Sequence, residues 1–215
     1  MPTILLADDH IILRQGLRSV LEKEFHFDVI GEANNGREAI ELAQQYTPDI
    51  VIMDVSMPGM NGIEATRTIT SGQPGTKVIA LSMHTDSHFI HDMLKAGASA
   101  YLLKQCVYDE LQNAIRSVLQ NKKYVCPEIT DIIIQDYIER KDVDYLNIHE
   151  TLTQKERETL QLLAEGKSTK EIAGTLHVSI PTIETHRAHI MEKLNLHSVA
   201  ELTKYAIRVG LTSLE

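Results

Sequence analysis

The stretch spanning residues 49–62, DIVIMDVSMPGMNG, restricts the fold more than any other part of this chain. Its short apolar run, Ile50 to Met53, is bounded by turn residues and lacks polar alternation. Such a run reads as a strand of a parallel sheet buried on both faces. Asp54 closes it, followed by a loop holding Pro58, Gly59, Asn61 and Gly62. Open α/β sheets bind their ligands in the crevice outside the carboxyl ends of the strands, which is where this acid falls. Taken alone, Asp54 could equally do no more than cap its loop.

The flanking sequence repeats the pattern. Residues 3–7 (TILLA), 29–33, 77–82 (KVIALS) and 99–103 (SAYLL) are strand-like. Between them lie segments with helical apolar spacing: 11–23 with Ile12, Leu13, Leu17, Val20 and Leu21, one from Asn35-Gly36 through Tyr46, 63–70, 87–95 stopped by Gly97, and 107–119. Strands alternating with helices require right-handed crossovers, so we expect a doubly wound five-stranded parallel sheet covered on both faces. Pro127 and Glu128 interrupt, and Ile129, Ile132, Ile133, Tyr137 and Ile138 then recur as one linking helix. Residues 139–150 are mostly charged and polar without a period and mark a boundary. The expected divisions are 1–125, a linker over 126–150, and a small all-α domain over 151–215.

That last part opens with two capping boxes, Thr153 with Glu156 and Ser168 with Glu171, in which each pair satisfies the other's free amides. Gly166 ends the first helix, and the second runs through Leu176. A turn at His177-Val178 leads to Ser179, which caps a third helix burying Ile183, Ile190, Met191 and Leu194. A fourth, over 199–209, offers Leu202, Tyr205, Ala206 and Val209. Two short helices across a tight turn, the second polar on its outer face, make a helix-turn-helix.

Bulk composition bounds the remaining classes. The apolar fraction of 43% and charged fraction of 24% suit a soluble globular chain. No apolar run approaches the roughly 20 residues of a membrane span. The opening MPTILLADDH turns acidic too soon for a signal or transit peptide, which points to the cytoplasm. Cys106 and Cys126 have no metal-like spacing and suit a reducing compartment, with a disulfide between them left open. The net charge of −9 is uneven: residues 1–149 carry −8 and the remainder −1. The tail can therefore still meet DNA locally.

Strand one ends in Asp8-Asp9, the central strand in Asp54, the fourth in Ser82, and the fifth just before Lys104. All these ends share one edge of a parallel sheet. Gathering three carboxylates there is costly without a cation, and hard oxygen ligands suit Mg²⁺. A metal, Lys104 and the Ser82 hydroxyl could together neutralise a phosphoryl group arriving at Asp54, since phosphoryl transfer needs little beyond positioning and charge stabilisation. Each residue also has a plain structural use: Asp9 as a helix cap, Ser82 as a strand-end hydroxyl, Lys104 as a solvated lysine.

Asp8-Asp9, Asp54 with Met57-Pro58 and Gly62, Ser82 and Lys104 resemble the receiver domain of two-component response regulators, whose fold is flavodoxin-like. The tail, LTQKERETLQLLAEGKSTKEIAGTLHVSIPTIETHRAHIMEKLNLHSVAEL, resembles a LuxR-type DNA-binding domain. Together they are similar to the NarL/FixJ family. The resemblance implies that Asp54 accepts phosphate from a sensor histidine kinase, with Asp8 or Asp9 and the Ser56 backbone carbonyl completing the protein ligands of Mg²⁺. It implies that Ser82 and Lys104 contact the phosphate, and that the aromatic ring of Tyr101 turns inward when the hydroxyl moves. Many receivers place proline after this lysine; here Gln105 follows, and a cis bond without proline costs about 2.5–4 kcal/mol.

By position the third helix of the tail, 181–194, enters DNA. Thr182, Thr185, His186 and Ala188 or His189 fall on its outer side, and Arg187 and Lys193 can neutralise phosphates. Glu184 stands where some relatives carry lysine, so it either accepts from a cytosine amino group or points away; Val199 stands where many carry arginine. So little positive charge implies weak binding by one domain and a homodimer on two half-sites, with Leu202, Tyr205 and Val209 as the expected contact. His84, His88 and His91, like His186 and His189, have helical spacing but lack an accompanying zinc motif. Two other classes compete. A haloacid-dehalogenase-type phosphatase would need a second acid two residues after Asp54, where Ser56 stands. The other is a receiver-containing interaction protein that has lost DNA binding.

Overall fold

The computed structural model describes residues 1–139 and 152–212. The chain forms two compact units, Met1–Arg140 and Lys141–Glu215. In the first, strands β1 (Thr3–Ala7), β2 (Asp28–Ala33), β3 (Ile50–Asp54), β4 (Lys77–Ser82), β5 (Ala100–Leu103) and β6 (Tyr124–Val125) form one sheet. Its order is β2-β1-β3-β4-β5-β6 and every pairing is parallel. Helices α1 (Ile11–Lys23), α2 (Gly36–Tyr46), α3 (Gly62–Gly72), α4 (Ser87–Lys95) and α5 (Val107–Leu119) alternate with the strands. All of β3 is buried, as an apolar run covered on both faces must be.

The strand order reverses between β1 and β3, the position at which doubly wound sheets open a crevice. Register makes that crevice the meeting point of the strand tips. Ala7 pairs with Met53, Asp54 with Leu81, and Ser82 with Leu103, so Asp8, Asp54, Ser82 and Lys104 emerge along one edge.

The five-stranded expectation gains a sixth strand. Tyr124–Val125 is too short to show any periodicity, and it exists because Tyr124 N–H donates to Ser99 O and Cys126 N–H to Tyr101 O. The expected helix after the interruption is present as α6 (Pro127–Glu139), with Pro127 itself at its start, where its missing N–H costs nothing. Ile129 of α6 is fully buried in the core of this first unit, with Ile132 and Ile133 packed beside it. The side chains of Tyr137 and Ile138, and the boundary expected over 140–150, lie outside the described residues. On α1, Leu17 and Leu21 are buried as expected, but Ile12 is 88% exposed. The Lys104–Gln105 bond is trans, and Lys104–Cys106 forms a 3-10 turn.

The second unit holds α7 (Gln154–Ala164), α8 (Thr169–Leu176), α9 (Ile180–Leu194) and α10 (Val199–Arg208). Both expected capping boxes are formed, and Ser198 with Glu201 makes a third at the head of α10. The α8–α9 turn passes through His177 in the left-handed conformation, and Ser179 caps α9 by accepting from Thr182 N–H. Leu160, Ile172, Ile183, Ile190, Leu202 and Ala206 fill the core.

The residues expected as the dimer contact on the last helix are also used by the unit's own packing. Leu202 and Tyr205 lie inside the unit's own core, with Val209 packed partly against it. The apolar stripe of α10 is spent on packing within the unit. Its exposed or half-buried side chains include Val199, Ala200, Glu201, Thr203, Lys204 and Ile207. No described helix is long and apolar enough to cross a membrane.

Candidate functional site

Asp54 is the last residue of β3 and is 2% exposed. The loop behind it returns so tightly that Gly62 N–H donates to Val55 O at 2.9 Å. A Cβ on Gly62 would stand 1.9 Å from the Asp54 carbonyl oxygen, so only glycine admits α3 this close to the strand tip. Ser56 N–H donates to Asp54 Oδ1 at 3.2 Å. The other carboxylate oxygen is held from across the sheet. Lys104 Nζ, at the tip of β5, stands 2.8 Å from both Asp54 Oδ2 and Asp8 Oδ2.

Asp8 is buried just beyond β1, where its Oδ1 accepts from His10 N–H at 2.8 Å. Asp9 is half-buried, with His10 Nδ1 2.8 Å from its Oδ1. Ser82 ends β4, and its hydroxyl oxygen accepts from His84 N–H at 2.9 Å. Tyr101 is completely buried, with its hydroxyl donating to His84 O at 3.2 Å. The ring lies inward in this structure.

Two residues of this region were not placed at the site by sequence reasoning. His10 joins the acidic group directly, and its only signal was adjacency to Asp8-Asp9. His84 stacks on Phe89 at 4.3 Å between ring centroids and brings Nε2 within 3.1 Å of Ser56 Oγ. It bridges the loops after β3 and β4, a contact that sequence separation conceals.

The electrostatics follow from burial. Desolvation, reinforced by the charge of Asp8 and opposed by Lys104, pushes the Asp54 carboxyl up to about 7. Burial works against the Lys104 charge, yet Asp54 and Asp8 hold its ammonium above the ordinary lysine value. One ammonium does not balance three carboxylates. Donor atoms of Asp8, Asp9, His10 and Asp54 lie within 4.8 Å of one another. A surplus of negative charge on hard oxygen donors fits a small divalent cation such as Mg²⁺.

In the second unit, α9 buries Ile183 and Ile190 and leaves Glu184, Thr185, Ala188 and His189 exposed, with Thr182, His186 and Arg187 half-buried. Thr182 Oγ1 lies 2.8 Å from Ser179 Oγ, and Thr185 donates to Pro181 O. Lys193 is committed elsewhere. Its ammonium lies 2.7 and 3.0 Å from the two carboxylate oxygens of Glu156, the acid of the first capping box. That ion pair ties the end of α9 to the start of α7 and engages one of the two cations expected to meet phosphate.

Comparison with known proteins agrees with both halves of this picture. Residues 4–116 match the response regulator receiver domain, and residues 150–206 match the bacterial regulatory proteins of the luxR family. The oxygen regulatory protein NreC of Staphylococcus carnosus is 36% identical over 97% of this chain and 98% of its own length. A crystal structure of a LuxR-family two-component response regulator from Aurantimonas sp. SI85-9A1 is 37% identical with a TM-score of 0.62, covering 65% of this chain and 99% of that one. The structure of an RcsB–DNA complex is 27% identical with a TM-score of 0.60, covering 97% of this chain and 98% of that one. The chain thus belongs to the NarL/FixJ-type two-component response regulators, DNA-binding transcriptional regulators that join a receiver domain to a LuxR-type helix-turn-helix.

Proposed function

We propose that Asp54 accepts a phosphoryl group from a sensor histidine kinase, and that the modification governs the pairing of two copies on promoter DNA in the cytoplasm. The observation that carries this reading is the Lys104 ammonium shared at 2.8 Å between Asp54 and Asp8 at adjoining strand tips. Receiver domains generally bind Mg²⁺ at an acidic pocket. Here Asp8, Asp9, Asp54 and the Ser56 backbone carbonyl would hold it, and when bound it supplies positive charge to phosphoryl oxygens.

The chain's own residues do the rest. A carboxylate oxygen of Asp54 attacks phosphorus in line, the phosphorus–nitrogen bond of the phosphohistidine breaks, and the departing imidazole keeps the electron pair and takes up a proton. The Ser56 amide fixes one Asp54 oxygen, while Lys104 follows the charge from the carboxylate pair to the phosphoryl oxygens. The Ser82 hydroxyl donates to a phosphoryl oxygen and gives up its hold on His84 N–H. His84 is gripped at its carbonyl by Tyr101, so that exchange alters the loop after β4 and the face of α4.

Residues 1–125 carry the phosphoacceptor site, α6 adds Ile129 to the same core, and the DNA-binding region occupies 151–215. On α9, Thr182, Thr185, His186 and Ala188 face the bases, Arg187 meets a phosphate, and Glu184 selects against or for its neighbouring base. Lys193 contributes mainly through Glu156. The exposed side of α10, with Val199, Thr203 and Ile207, is the pairing face, in place of buried Leu202 and Tyr205 and half-buried Val209.

Treatment of the full chain with Mg²⁺ and acetyl phosphate is expected to add about 80 Da to the wild type and nothing to Asp54→Asn. Fluorescence anisotropy on upstream DNA is expected to tighten with the phosphodonor in the wild type only. Equal mass gain in the variant, or equal affinity with and without phosphodonor, would overturn the reading.

A further inference from the structure

Cys106 and Cys126 play no part in the acidic site, and the sequence leaves a disulfide between them open without placing them together. The fold brings them together. Cys106 ends the 3-10 turn after β5, is half-buried, and donates its S–H to Leu103 O at 3.4 Å. Cys126 follows β6, is completely buried, and immediately precedes Pro127 at the head of α6. Both sulfurs and a carboxylate oxygen of Glu128 lie within 4.8 Å of one another. A bond requires the sulfurs to close to about 2.05 Å, and a change of rotamer about the Cα–Cβ bond of half-buried Cys106 is the movement available for it.

We propose that Cys106 and Cys126 are a reversible redox pair, closed to an intramolecular disulfide by a hydroperoxide. The solvent-reachable Cys106 reacts first: its thiolate attacks the terminal peroxide oxygen, forming a sulfenic acid and releasing water or an alcohol. Cys126 then attacks the Cys106 sulfur as its own proton passes to the departing hydroxyl, so the S–O bond breaks, water leaves, and the enclosure never holds a standing thiolate. Two thiols are oxidised and one peroxide is reduced, so the step balances. A low-molecular-weight thiol reverses it by exchange at the Cys106 sulfur.

The same atoms could be read as a partial metal site of two sulfurs and one oxygen. Burial argues against it. A metal would require Cys126 to hold a thiolate in an apolar enclosure, and that enclosure pushes its thiol up to about 11. A disulfide leaves the same enclosure neutral. The location gives the bond leverage. Cys106 lies two residues beyond Lys104, and Cys126 N–H donates to Tyr101 O at 3.2 Å. A bridge would clamp the lysine-bearing turn to the head of α6.

The test uses the reduced full-length chain, exposed to hydrogen peroxide, unfolded in acid and alkylated with a maleimide. The expected product takes no adducts, is about 2 Da lighter, and yields one Cys106–Cys126 peptide, with both adducts restored by dithiothreitol. Cys106→Ser, at a half-exposed position, is expected to fold and keep its single thiol alkylatable under the same treatment. The oxidised wild type is expected to melt several degrees higher than the reduced form, with no such shift in Cys106→Ser. Both thiols surviving peroxide, disulfides only between chains, oxidation stopping at a sulfinic acid on Cys106, or one zinc ion per chain shielding both thiols would each overturn the proposal.

Discussion

Lys104 is the side chain on which the acidic site balances. Its removal leaves Asp8 and Asp54 facing each other without the ammonium that both contact. In Lys104→Ala we expect phosphoryl uptake from acetyl phosphate to slow by about 10²–10³-fold, the usual cost of deleting one charge-stabilising donor, while circular dichroism stays unchanged. Following the adduct by mass spectrometry over time measures this directly. At Glu156 the relevant variable is pH. Burial alone would raise this carboxyl, but Lys193 and the capping contacts of Thr153 outweigh it and hold it below the ordinary glutamate value. A depressed folded-state value means that stabilisation is complete above the unfolded value near 4.3 and is lost as pH falls through the lower folded value. The helix-turn-helix unit is therefore expected to lose thermal stability below about pH 4, and Glu156→Gln should flatten that dependence in melts across pH 3–7.

The elements are where local chemistry proved most readable. Capping residues Thr153, Ser168 and Ser179 announce three helix starts, and each makes the backbone hydrogen bond that its residue type allows. Strand spans such as Thr3–Ala7 and Lys77–Ser82 follow from apolar runs alone. Elements without a local signal were harder. β6 has two residues and exists only through its partner β5, and α6 looks like a linker until its buried isoleucines meet the receiver core. The start of α3 supplies a sharper test. Gly62→Ala forces a methyl group against the Asp54 carbonyl, and overpacking against backbone typically costs about 1–3 kcal/mol. A lower urea midpoint is expected, with slower phosphoryl uptake as the Asp54 tip shifts.

For the whole molecule, charge decides how DNA is met. A net charge of −9 with Lys193 already paired leaves few cations to displace counterions. Binding should therefore show a shallow salt dependence for each copy and depend on two copies acting together. Arg187→Ala is expected to reduce the slope of log affinity against log salt by about one per copy and to weaken binding to all sequences alike, as anisotropy titrations between low and physiological salt would show. Lys193→Met should instead lower the melting temperature more than the slope, because its partner is Glu156 rather than phosphate.

Read by itself, the sequence determined the order of five strands and the helices between them, the caps at Thr153, Ser168 and Ser179, the strand tips that bear Asp8, Asp54, Ser82 and Lys104, and the helix-turn-helix. Those features rest on periodicity and on hydrogen bonds between residues a few positions apart. Tertiary structure alone decided that one lysine serves two aspartates, that His84 joins Ser56, and that Lys193 closes on Glu156. It also decided that Leu202 and Tyr205 face inward and that two distant cysteines become neighbours. Each of these depends on which faces pack together across the chain, and no local pattern carries that information.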